Sequence, residues 1–237
     1  MTPHTATAHT AAHTATAVPA CDRRTRVTRS LLGYGIIAGP LYVTVSLAQA
    51  LTREGFDLTR HAWSLLANGD LGWIQITNLL VAGLAVIAAA LGMRRGLAGG
   101  PGARWTPRLV AGYGLGLLAS AVFTADPSMG FPAGTPQGPG AVSTHGLLHL
   151  AAGAAGAVGF AALIAATLVH ARRLAADGRP AAAAWSRTTG VLFALAFACV
   201  ATGGGAVWAN LAFTAGILIA WTWLSVTSLR LYRAAGR

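Results

Sequence analysis

Thr188-Thr189-Gly190-Val191-Leu192-Phe193-Ala194-Leu195-Ala196-Phe197-Ala198-Cys199-Val200-Ala201-Thr202-Gly203-Gly204-Gly205-Ala206-Val207-Trp208-Ala209-Asn210-Leu211-Ala212-Phe213-Thr214-Ala215-Gly216-Ile217-Leu218-Ile219-Ala220-Trp221-Thr222-Trp223-Leu224-Ser225-Val226-Thr227-Ser228 is a run of 41 residues without one charge. As a single helix it would be about 60 Å long at about 1.5 Å per residue, twice the thickness of a bilayer's hydrocarbon core. It is therefore two spans. The break belongs at Gly203-Gly204-Gly205, because successive glycines carry the largest entropic penalty in a helix interior. Arg187 and Arg230 flank the run, and both prefer the cytoplasmic side of a membrane, so the chain must cross twice between them.

Leu31–Leu51, Trp73–Gly92, Leu109–Ala125 and His145–Val169 are the other apolar stretches long enough to cross. All 17 basic residues are Arg. Arg23, Arg24, Arg26 and Arg29 precede the first stretch, and Arg94, Arg95, Arg104 and Arg108 follow the second. Arg172, Arg173, Arg179 and Arg187 follow the fourth, and Arg230, Arg233 and Arg237 close the chain. Only Arg53 and Arg60 fall on the other side. The expected fold is an all-α polytopic bundle of six transmembrane helices with both termini cytoplasmic. Its spans are 31–51, 73–92, 109–125, 145–169, 188–203 and 207–228. Residues 1–30 form a disordered cytoplasmic tail, 31–230 the membrane domain and 231–237 a second tail. Residues 1–20, almost entirely Ala, Thr, His and Pro, have neither the basic nor the apolar region of a cleaved signal, so the first span is expected to act as an uncleaved anchor.

Bulk composition excludes other classes. With 54% hydrophobic residues, 10% charged and a mean hydropathy of +0.58, the chain is too apolar for an ordinary soluble domain. A net charge of +11 would suggest nucleic acid in a soluble protein. Here the Arg residues flank apolar segments, so the expected partners are membrane lipids with anionic headgroups, at about 1 kcal/mol per charge, and no nucleic acid. Cys21 and Cys199 are too few and too far apart for a disulfide framework.

Helix association in lipid needs close backbone approach, which small residues supply. Gly35 and Gly39, Gly112 and Gly116, and Gly153, Gly156 and Gly159 stand at helical spacing. Trp63, Trp73, Trp105, Trp185 and Trp208 fall at span ends or in loops, as an interfacial belt would place them. Gln49, Gln75, Asn78 and Asn210 are uncharged polar residues that glue helices together. No Asp, Glu or Arg falls in mid-span, which counts against an ion-coupled pump.

The two loops expected on the outer face hold Glu54, Asp57, Asp70 and Asp126, four of the six acidic residues. In the first, Leu58, Ala62 and Leu65 follow helical spacing, Asp57 stands where an N-cap should be, and Asn68-Gly69 is a stop signal. A short amphipathic helix lying on or plugging the outer surface is expected there. The second loop, from Asp126 to Pro136, is dense in Pro and Gly and so restricted in shape. His145 and His149 then stand four apart on one helix face, where two imidazoles can share a metal. With His61 as a third ligand and Asp57 or Asp126 as general base for bound water, this is the donor set of a catalytic zinc site. Plain interfacial hydrogen bonding, a cap and a turn account for the same residues without chemistry.

Gly55-Phe56-Asp57-Leu58-Thr59-Arg60-His61, Gly69-Asp70-Leu71-Gly72-Trp73-Ile74-Gln75, Ala125-Asp126-Pro127, Gly130-Phe131-Pro132, Gly134-Thr135-Pro136 and His145-Gly146-Leu147-Leu148-His149 resemble the actinobacterial membrane family catalogued as domain of unknown function 998. The resemblance runs from about residue 30 to the C-terminus. It implies a six-helix protein of the bacterial cell membrane and carries no activity and no catalytic residue. A weaker likeness is to membrane-embedded metal hydrolases of the alkaline ceramidase type. There His145, His149, His61, Asp57 or Asp126, and Ser64 would fill the site, although span count and motif order differ.

These features point to an outer-face binding, sensing or scaffolding protein whose loops take a small molecule, lipid or protein ligand. The alternative is a metal-dependent hydrolase acting on a lipid or amide at the outer leaflet. A small transporter or channel comes third. A bis-His haem would need facing His pairs on different spans, and outside the pair the spans and loops offer only His61 and His170, so haem is not expected.

Overall fold

The computed structural model describes residues 23–138, 140–151 and 159–236. These contain seven α-helices and no strand. They are α1 (Arg23–Thr52), α2 (Gly72–Gly96), α3 (Trp105–Val122), α4 (Thr144–His149), α5 (Phe160–Ala176), α6 (Pro180–Thr202) and α7 (Val207–Ala234). Four of them, α1, α2, α6 and α7, are long and apolar enough to cross a membrane. The chain is a multi-pass membrane protein. α3 and α5, of 18 and 17 residues, pack within the same bundle.

The uncharged run divides where the glycines stand. α6 ends at Thr202 and α7 begins at Val207, with Gly204 and Gly205 at φ +56° and +82°, a left-handed backbone that a side chain would strain. Several helices outrun the apolar windows. α1 starts at Arg23, so residues 23–30 belong to a helix and not to a disordered tail, while residues 1–22 lie outside the described residues. Arg is a good helix former that a hydropathy window does not see. Tertiary contacts hold this end: Arg95 Nε donates to Thr28 Oγ1 at 3.3 Å, and the Arg29 guanidinium lies 4.3 Å above the Tyr232 ring. α6 likewise starts early, at Pro180, where a proline at the first turn loses no hydrogen bond. α7 runs on to Ala234, inside the expected tail. The fourth expected span, 145–169, is occupied by α4 and by the start of α5. Residues 152–158, with Gly153 and Gly156, lie outside the described residues.

Six helices close a ring. α1, α2, α3, α5, α6 and α7 each pack against the next, and α7 returns to pack on α1. Small residues set the closest approaches. A Cβ on Gly39 would stand 2.6 Å from Ser225 Oγ and 3.1 Å from the Trp221 carbonyl, and one on Gly35 would overlap Ser228, so α1 and α7 meet nearly backbone to backbone. Between α2 and α3 the partners are Gly83 and Gly114, where a Cβ on either would lie 2.9 Å from the other's carbonyl. Buried polar side chains join α1 to α2. Asn78 donates to the Tyr42 carbonyl and Ser46 Oγ, each at 3.1 Å, and Gln49 Nε2 donates to Gln75 Oε1 at 2.8 Å.

The ring has two chemically distinct ends. Arginines at the start of α1, the end of α2, the start of α3, the end of α5, the start of α6 and the end of α7 gather at one, the arginine end. Loops 53–71 and 123–143 and the α6–α7 turn gather at the other, the loop end.

Candidate functional site

The two long loops make a cap. The expected amphipathic helix is a single 3-10 turn, Trp63–Ala67, and its flanking N-cap position is Ala62. Asp57 does not cap it. The Asp57 carboxylate accepts from the Thr59 N–H at 2.8 Å and from Thr59 Oγ1 at 2.7 Å, a local turn that competes with helix. Those two Thr59 donors, the hydroxyl first, hold the Asp57 carboxyl below its usual range. Trp63 is not part of an interfacial belt either. It is 2% exposed, stacked 6.0 Å from Tyr42, with its indole N–H donating to Thr214 Oγ1 at 3.1 Å. Trp73, Trp105, Trp185 and Trp208 are exposed, as a belt requires.

His61 is the pin of this cap. Its Nδ1 accepts from the Asp57 N–H at 2.8 Å, so in the neutral ring the proton sits on Nε2, which donates to the Met129 carbonyl at 3.0 Å. The ring is 2% exposed and packs against both Phe56 and Phe131, at 5.2 and 5.6 Å, which themselves meet edge-on at 5.1 Å. Both nitrogens are committed to backbone, and neither is left for a metal. Arg53 adds a second pin. Its guanidinium donates to the Leu66 and Asn68 carbonyls, at 2.5 Å each, and lies over the Phe131 ring. Asn210 Nδ2 on α7 donates to the Thr59 carbonyl at 3.1 Å, and Arg60 Nη2 to Gln137 Oε1 at 2.8 Å.

Beneath the cap, inside the ring, is a cavity of about 390 Å³. This lies in the range of small-ligand sites. Tyr42, Trp63, Tyr113, Phe160, Phe213 and Trp221 give it an aromatic wall, drawn from α1, the cap, α3, α5 and α7. Tyr42 and Trp221 stack at 4.9 Å, and Tyr113 stands edge-on to Trp221 at 5.6 Å. Among the described residues the Trp221 indole N–H has no acceptor. The polar lining lies toward the loop end: Ser64, Ser120, Asp126, Ser128 and His149.

His149 enters this lining in a defined state. Its Nδ1 lies 2.6 Å from the Phe123 carbonyl, which can only accept, so Nδ1 carries the proton. In the neutral ring Nε2 is then an acceptor, and among the described residues nothing donates to it. Asp126 is held by one residue: its two oxygens accept from the Ser143 N–H at 2.7 Å and Ser143 Oγ at 2.5 Å. These bonds, the hydroxyl's foremost, lower its pKa, so it is a carboxylate at neutral pH. Ser143 Oγ in turn accepts from the Gly146 N–H at 3.0 Å, which caps α4. A Cβ on Gly146 would overlap the Asp126 carboxylate, so this approach needs glycine.

Of the five residues singled out in the sequence, His149 and Asp126 line one cavity. His61 and Asp57 are committed to the cap, and His145 is exposed with its ring edge against Phe123. Among the described residues no group of three or more His, Cys, Asp or Glu could hold a metal ion. The expected trio of His61, His145 and His149 is not assembled, because His61 turns toward Met129 and Phe131. Tyr42, Tyr113 and Trp221 are the residues the sequence reading passed over. Tyr42 and Trp221 carry a signal in the sequence, as aromatic residues with a polar atom in mid-span, whereas Tyr113 stands one turn inside the span expected at 109–125 and reads as interfacial.

A model of the family described as protein of unknown function (DUF998) matches residues 36–230. The chain belongs to that family. The matched region takes in both loops of the cap and every residue lining the cavity, so this DUF998 chain carries the site within the family's own region. No curated protein and no solved structure matches it.

Proposed function

We propose that this DUF998 protein crosses the cell membrane six times, with both termini in the cytoplasm and the cap on the outer face, and binds a small amphipathic molecule in the capped cavity. α3 and α5, each about 26 Å long at about 1.5 Å per residue, are then the short spans, and the arginine end is the cytoplasmic one. The observation that carries the binding reading is the polarity of the cavity. It has an aromatic floor in the bundle interior and, toward the loop end, the His149 Nε2, to which none of the described residues donates. An apolar body would bury against the aromatics at about 25 cal/mol per Å², while a hydroxyl or N–H at its polar end would donate to His149 Nε2.

The test is extraction and mass spectrometry of small molecules retained by the protein purified in mild detergent. Leu117 lines the cavity, and Leu117→Trp fills it. Wild type should retain a species at near one per chain that Leu117→Trp lacks and that His149→Phe holds at least tenfold more weakly. The reading fails if wild type and the filled variant retain the same molecules. Zinc is measured on the same samples. One zinc per chain, lost in the His145→Ala, His149→Ala double variant, would move the conclusion to the metal-dependent hydrolase.

A further inference from the structure

The arginine end holds a second cavity, a groove of about 230 Å³ between the end of α2 and the start of α3. Ile87, Leu91 and Ala111 lie along it, and Arg94, Arg104 and Arg108 rim it. All three arginines are exposed. Among the described residues the only ion pair joins Arg173 to Asp177, so none of the three meets a carboxylate. Trp105 meets two of them, with the Arg104 and Arg108 guanidinium carbons each 5.7 Å from its ring centre. That contact favours guanidiniums held at the rim.

The groove's apolar side continues into the lipid-facing surface. Leu84 and Leu91, two turns apart on α2, and Leu115, two turns from Arg108 on α3, are all exposed. Between them the helices close at the Gly83–Gly114 contact, which ends the groove toward the bundle's middle. A soluble anion would use the arginines and leave the apolar walls idle. A zwitterionic lipid would offer the same phosphate but bring a cationic ammonium in among three arginines. We infer that this groove is a binding site for an anionic phospholipid, its phosphate among Arg94, Arg104 and Arg108 and its first methylenes along Ile87, Leu91 and Ala111.

The test is native mass spectrometry of the full chain released from mild detergent, with phosphatidylglycerol or phosphatidylcholine added. Phosphatidylglycerol should bind, and Arg94→Gln/Arg104→Gln/Arg108→Gln should weaken it about a hundredfold, three contacts of about fivefold each. The matching lysine triple variant should keep most of the affinity. Arg23→Gln/Arg24→Gln/Arg26→Gln, which removes equal charge from the same end, should bind within about twofold of wild type. If the glutamine triple variant does not fold, the single variants Arg104→Gln and Arg108→Gln should each lose about fivefold. The inference is overturned if phosphatidylcholine binds as well, or if the two glutamine triples lose affinity equally, which would mean diffuse attraction. Displacement of the lipid by millimolar inorganic phosphate would overturn it too, in favour of a soluble anion.

Discussion

His61 shows how much one side chain can decide here. Its two nitrogens tie the backbone of one loop to the backbone of the other, and its ring completes a cluster of three with Phe56 and Phe131. His61→Ala leaves the Asp57 N–H and the Met129 carbonyl without these partners, at about 1–3 kcal/mol for each group that stays buried. The variant should unfold at least 2 kcal/mol more easily (on the order of one such group) in a detergent denaturation series, with faster proteolysis between residues 123 and 143. An unchanged midpoint would refute the pin. Asp126 gives a pH prediction. Its folded pKa is depressed by Ser143, so the tie it makes is fully present above the unfolded value of about 3.9 and is lost as pH falls through the folded one. Hydrogen exchange at the Gly146 amide should therefore be protected at pH 6 and weaken below about pH 4, while Asp126→Asn shows little dependence. Protection that is flat with pH in wild type would contradict the assignment.

At the scale of elements, glycine position matters more than glycine number. Gly39 sits where α1 touches α7, whereas nothing lies within 4 Å of a Cβ on Gly33. Gly39→Leu should cost about 1–3 kcal/mol by overpacking and Gly33→Leu almost nothing, measured by thermal unfolding of the two purified variants. Equal effects would show that the seam is not tight. Most of the helices were legible in the sequence, because apolar length and the triple glycine at 203–205 act locally; over the stretch 145–169 the structure instead has α4 ending at His149 and α5 starting at Phe160. The helix ends were not legible. Arg23–Ser30 and Pro180–Arg187 are helical through propensity and tertiary contact, neither of which a hydropathy window measures. The cap was legible only as an irregular pair of loops. Asp57 had an equally good local use in turning back on Thr59, and the choice between turn and helix cap was made by contacts with Met129, Phe131 and Asn210, more than 60 residues away in sequence. The candidate site was half visible for the same reason. His149 and Asp126 stand close in the chain, but Tyr42, Tyr113, Phe160 and Trp221 come together only when the ring closes.

For the whole molecule, the arginine asymmetry predicts an arrangement that labelling can check. In a variant without Cys21 and Cys199, a cysteine replacing Glu54 in the cap should react in whole cells with a thiol reagent that cannot cross the membrane. One replacing Ala98 should react only after the cells are broken. The opposite pattern would invert the topology, and labelling of both sites in intact cells would refute a span between them.

The ring also fixes an order of assembly. Five of its six seams join helices that follow one another in the ring's own order along the chain, and the sixth joins α7 back to α1. During synthesis the first five can form as each helix emerges, but the last must wait for α7. That helix brings Phe213, Ile217 and Trp221 to the wall of the cavity, and Asn210 and Thr214 to the underside of the cap. A nascent chain stopped after α6 therefore has an open trough, and the binding chamber comes into being only when the final helix docks.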